Sequence, residues 1–149
     1  MTTISDHISF AEATHTGTGK PNVPNEQQIE AMELVAEKVF EPLRHYISEP
    51  IAIDSFFRSP AVNSAVGGAA TSQHVKGEAI DMKATPNASY TNADLFHYNR
   101  EHLVFDQLIW EHGDNRNPAW VHVSYSALKN RKQVLQTVVV GGKTTYKQI

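Results

Sequence analysis
In the segment EAIDMK, residues 78–83, an aspartate stands between Ile80 and Met82 in what reads as a strand. Side chains on a strand alternate between faces, so Ile80 and Met82 share one face and Asp81 points to the other with Ala79. A strand this apolar is expected to be buried, and a buried carboxylate is costly unless it is paired or binds a metal. The fold must therefore bring a cationic partner to Asp81. His74 lies seven residues upstream, and Gly77 between them permits a sharp turn that swings the imidazole back. Small Ala79 leaves room beside the carboxylate.

The rest of the chain supplies a scaffold for that turn. Residues 1–24, rich in Thr and Gly and ending in PNVP, read as an extended arm on a single domain spanning 1–149. Asn25 with Gln28 forms a capping-box signal, and Ile29, Met32, Val35 or Ala36, Val39, Leu43 and Tyr46 recur at helical spacing. Pro42 should bend or end this helix near residue 41. IAIDSFFRS (51–59) reads as a strand, followed by a short segment at 62–65, the glycine turn GGAATSQH and the strand 78–83. Thr91 with Asp94 starts a second helix over DLFHYNREHL. FDQLIWE (105–111) and WVHVSY (120–125) read as strands joined by the turn HGDNRNPA, and QTVVV-GG-KTTYKQI as a terminal hairpin. This order implies an α+β fold, a central antiparallel sheet with flanking helices.

Alternation places Trp120, His122 and Ser124 on one face, and Gln107, Ile109 and Glu111 on one face. If these strands neighbour 78–83, His74, Asp81 and His122 converge. Two imidazoles and one carboxylate make a catalytic zinc set, with a coordination position left over. The chain has no cysteine and eight histidines, so a metal site must draw on His, Asp and Glu. His-x6-Asp spacing alone leaves a purely structural reading open. His7, His15, His45, His97 and His102 are read as surface or structural residues.

Five blocks in order, NEQQIEAMELVAEKVFEPLR, FFRSPAVNSAVGG, SQHVKGEAIDM, FDQLIWE and WVHVSY, resemble the M15 zinc peptidases, the D-alanyl-D-alanine carboxypeptidase family. The similarity is greatest to short phage and prophage members that carry SQH-x2-GEA-x-D. It implies the fold shared by hedgehog and DD-peptidase domains, with one zinc ion on His74, Asp81 and His122. It makes Arg58, in FFRSP, the guanidinium that holds a substrate carboxylate, a task suited to its planar fork. Peptidoglycan stem peptide becomes the implied substrate. Several members carry their catalytic acid three residues before the last histidine ligand, where this chain has Ala119. Glu111 is then the candidate base, as in the similar hedgehog domain, with His112 on the opposite face as the alternative. Gln73 is read as a donor to substrate or to a partner of the metal ligands, and Ser72 as ordering the loop.

Thirteen basic and sixteen acidic residues give a net charge of −3 without a block of either sign, which argues against nucleic-acid binding. No run approaches the roughly 18 apolar residues of a membrane span, and no charged-then-apolar leader opens the chain. Synthesis in the cytoplasm without a signal peptide, then action at the cell wall after release, is the expectation. The activity implied is hydrolysis of stem-peptide bonds, as a carboxypeptidase or an endolysin-type endopeptidase. The alternative is a non-catalytic, zinc-containing binding or phage structural module. Glu111 separates the two, since only an enzyme needs a base at the metal.

Overall fold
The first 24 residues hold more structure than their composition suggested. In the computed structural model, which describes residues 2–149, β1 (Thr3–Ser5) pairs antiparallel with β2 (Ile8–Ser9), and α1 (Phe10–Ala13) starts at a Ser9–Glu12 capping box. Ile4, Ile8 and Ala13 enter the core, which holds this stretch against the domain. Residues 14–25 are irregular but fastened by buried Asn22. Its amide donates to Thr14 O and Phe57 O, and its carbonyl oxygen accepts from Ser59 N–H.

The capping box expected at Asn25 and Gln28 is present at the start of α2 (Glu26–Val35). Pro42 does not end the helix. A π-helical turn over Ala36–Phe40, closed by Glu41 N–H to Ala36 O, leads into α3 (Glu41–Ile47). The proline thus falls in the first turn of α3, where its missing N–H costs little. Met32, Val35, Ala36, Val39, Phe40 and Leu43 are buried. Tyr46, expected on that face, is instead 59% exposed and stacks on Tyr98 at 4.0 Å between ring centroids.

The remaining elements are β3 (Ile51–Ser55), α4 (Pro60–Ala65), β4 (Ala79–Ala84), α5 (Asn92–His102), β5 (Gln107–Glu111), β6 (Trp120–Ser124), β7 (Gln133–Val140) and β8 (Lys143–Gln148). The architecture is α+β, with a six-stranded sheet in the order β3-β4-β6-β5-β7-β8. Its ladders are antiparallel except one: β7 runs parallel to β5. The chain returns across residues 125–132 before β7 begins, and Lys132 N–H to Phe105 O and Gln133 N–H to Asp106 O lock that return. The terminal hairpin turns on Gly141 and Gly142, both at positive φ, as its two-glycine sequence indicated.

The sheet has two unlike faces. Ile80, Met82, Leu108, Trp110, Val121 and Val123 belong to the buried core, with α2 packed on β4 and α5 on β4, β5 and β6. Each such side chain gains about 1.5–3 kcal/mol by leaving water. A slip of one residue would turn Asp81 and His122 into this apolar layer, so the core fixes the register. The opposite face carries the polar residues. No helix among the described residues is long and apolar enough to cross a membrane.

Candidate metal centre
His74 sits on a short 3-10 turn, Gln73–Lys76, where Ser72 Oγ accepts from His74 N–H. Arg58 N–H donates to His74 O at 3.1 Å, and the imidazole Nδ1 lies 2.7 Å from Phe56 O. A carbonyl only accepts, so Nδ1 carries the proton and Nε2 presents its lone pair. Gly77 ends the turn at φ +74°, and a Cβ there would lie 2.6 Å from Gln28 O on α2. Gly77→Ala therefore combines a left-handed penalty of about 1–2 kcal/mol with a backbone clash. It should lower the melting temperature by several degrees, read by thermal denaturation, and an unchanged value would show that the turn is not under this constraint.

Asp81 on β4 is paired directly across from His122 on β6. Its Oδ1 lies 2.9 Å from His122 Nδ1, its Oδ2 lies 3.2 Å from His74 Nε2, and Arg58 Nη2 approaches Oδ2 at 3.4 Å. Candidate ligand atoms of His74, Asp81 and His122 all lie within 4.8 Å of one another. Burial alone would push the Asp81 carboxyl up, but His74 and His122 beside it hold it well below the usual carboxylate range. Burial lowers the His74 pKa, disfavouring the charged imidazole, while the Asp81 carboxylate opposes that shift.

His74 Nε2 supplies the test of fit. It is buried and has no hydrogen-bond partner, and it faces a carboxylate oxygen. A lone pair set against an ionised oxygen is unfavourable unless a proton or a metal ion stands between them. Neutral imidazoles with a carboxylate are the donors a divalent metal such as zinc accepts. The group fits a metal.

Glu111, at the end of β5, shares the polar face and lies diagonally across from His122, which is opposite Ile109. It is only 7% exposed, and burial raises its carboxyl pKa to about 7, with the Asp81 charge adding and His122 opposing. His112 follows at φ +53° with its backbone N–H on Thr137 Oγ1, its side chain exposed and its ring beside Trp120. Both residues line one cleft of about 870 Å³ that includes His74, Asp81, His122 and Arg58. A second cleft of about 570 Å³ shares Arg58, Asp81 and Trp120 with it and reaches His15 and Thr16.

Arg58 is held by Ser55 Oγ at 3.0 Å from Nε and Asn63 Oδ1 at 3.4 Å from Nη1. Gln73 lines the larger cleft, with its amide donating to Asp106 Oδ2 at 3.1 Å and Glu78 Oε1 at 3.4 Å. The sequence reading passed over Asp106. This buried carboxylate forms a two-point ion pair with Arg131, at 2.8 and 2.9 Å, which lowers its pKa. Its signal was the same as for Asp81, an acid beside buried apolar residues. Of the other histidines, His7 pairs with Glu41, and His45, His97 and His102 lie exposed on helices.

The sequence pattern of the family described as peptidase M15 matches residues 7–124, most of the 149. The chain belongs to the M15 peptidase family. No curated protein sequence matches it. M15 peptidases are zinc-dependent metallopeptidases, and the His74–Asp81–His122 group of this M15 peptidase could hold a metal. The matched segment ends at the last residue of β6, so β7 and β8 lie beyond it.

Proposed function
We propose that this metallopeptidase hydrolyses bonds in peptidoglycan stem peptides with one zinc ion on His74, Asp81 and His122. The observation that carries the reading is the buried, unpartnered Nε2 of His74 facing Asp81, with buried Glu111 in the same cleft. Bound zinc acidifies a water and polarises a carbonyl. Glu111, with a pKa near 7, is poised to accept a proton and return it to the leaving amine near neutral pH. Arg58 has five N–H donors, of which three are directed at Ser55, Asn63 and Asp81. The remaining two suit a substrate carboxylate, which would fix the scissile carbonyl over the metal.

Two clefts that share Arg58, Asp81 and Trp120, one reaching Glu111 and the other reaching His15 and Thr16, leave room for more than a terminal residue. That supports cleavage of an internal bond over removal of a terminal residue. Action at the cell wall follows from such a substrate. Glu111 on the metal face, buried and kept basic, supports the enzyme over a binding or phage structural module on the same fold.

The test is mass spectrometry of a purified muropeptide with a pentapeptide stem after incubation with zinc-loaded protein. A shortened product is expected, and the lost mass names the bond. An intact muropeptide, from protein shown to hold one zinc, overturns the reading.

A further inference from the structure
Residues 125–149 fall outside the matched segment, yet the larger cleft is walled partly by Leu135 and Tyr146 from the terminal hairpin. Register puts them there. Ile109 on β5 pairs with Leu135 on β7, and Thr137 on β7 pairs with Tyr146 on β8. Paired residues share a face, so Leu135, Thr137 and Tyr146 stand on the same side of the sheet as Ile109, Glu111 and His122. The hairpin is docked beside the candidate base, because Thr137 Oγ1 accepts His112 N–H at 2.6 Å and donates to Trp110 O at 3.4 Å. Two strand spacings, about 10 Å, separate β8 from β5, and the long tyrosine side chain reaches back over that gap to the cleft.

Glu111 and Asp81 bring acceptors, and burial, with their negative charge adding, raises the Tyr146 pKa and so favours the protonated hydroxyl. The side chain is 53% exposed at the cleft rim, open to a ligand. An extended peptide crossing the metal presents backbone carbonyls that a neutral phenol can satisfy.

We propose that Tyr146 is a substrate-contacting residue of the cleft, its hydroxyl donating a hydrogen bond to a backbone carbonyl of the bound peptide on the Glu111 side of the metal centre. The proposal rests on the peptidase reading and extends it to a residue beyond the family-matched segment. It makes the terminal hairpin a determinant of which peptides are accepted.

The test compares zinc-loaded wild type, Tyr146→Phe and Tyr146→Ala on the stem peptide L-Ala-γ-D-Glu-L-Lys-D-Ala-D-Ala. Removing the hydroxyl should lower kcat/KM about tenfold, mostly through KM, the size expected for one lost hydrogen bond. Zinc content and melting temperature should not change, since the side chain is half exposed. Calorimetric titration of the same peptide into Glu111→Gln protein, with and without Tyr146→Phe, should show affinity weakened by the same factor without turnover. Tyr146→Phe within twofold of wild type in both measurements overturns the contact, whatever Tyr146→Ala does. Wild-type turnover with an unchanged Tyr146→Phe sinks this contact alone. A wild type that neither cleaves nor binds the peptide removes the stem-peptide reading and this proposal with it.

Discussion
With Glu111 as the proposed base, Glu111→Gln should lower kcat/KM on the stem peptide by a factor on the order of 10³ and leave zinc binding intact, because a positioned base contributes about 10²–10⁴ to such a reaction. Glutamine keeps the shape and removes only the ability to take a proton. A second readout is independent of turnover. Burial raises the Glu111 pKa to about 7, above its ordinary 4.5, so the folded state favours the neutral acid. The folded state then binds more protons than the unfolded chain between about pH 4.5 and 7, and stability falls as pH rises through that window. Protein stripped with a chelator should therefore melt higher at pH 8 as Glu111→Gln than as wild type. Below about pH 4.5 the difference should close. Full activity in Glu111→Gln would show that another group is the base.

Zinc added to the stripped wild type should raise its melting temperature by about 5–10 °C. At a free concentration a hundredfold above the dissociation constant, binding to the folded state alone adds about 2.7 kcal/mol. For a chain of this size each kcal/mol moves the midpoint by roughly 2–4 °C. The shift should vanish in His122→Ala, which removes one of the three candidate ligands, and inductively coupled plasma mass spectrometry should find no zinc retained. His45→Ala, on an exposed helix surface, should keep both. A wild-type melting temperature that does not respond to zinc would mean that the buried imidazoles and carboxylate serve packing alone.

Much of the centre was legible because its signals are local. An aspartate among Ala79, Ile80 and Met82 announces a paired carboxylate. Period-two alternation put Asp81, His122 and Glu111 on definite faces before any strand order was known. The capping residues at Asn25 and Thr91 likewise marked helix starts correctly, since a cap depends on three or four adjacent residues.

Other features depend on residues distant in sequence. The N-terminal 24 residues read as an arm because each of their elements is too short to show a period, and only burial of Ile4, Ile8 and Ala13 orders them. Pro42 read as a bend or an end near residue 41, and the π turn before α3 that accommodates it leaves no compositional mark. The parallel pairing of β7 with β5 is set by backbone bonds across residues 105–133, which no local pattern encodes.

The sequence by itself determined the residue types and strand faces of the candidate metal centre and the α+β class, because strand alternation and capping act over a few residues. Tertiary structure alone decided that His74 Nε2 is left without a partner, since Phe56 O claims the other ring nitrogen from 18 residues away. It alone raised Glu111 toward neutrality and brought Tyr146 to the same cleft. Desolvation and strand order belong to the assembled molecule and not to any one segment.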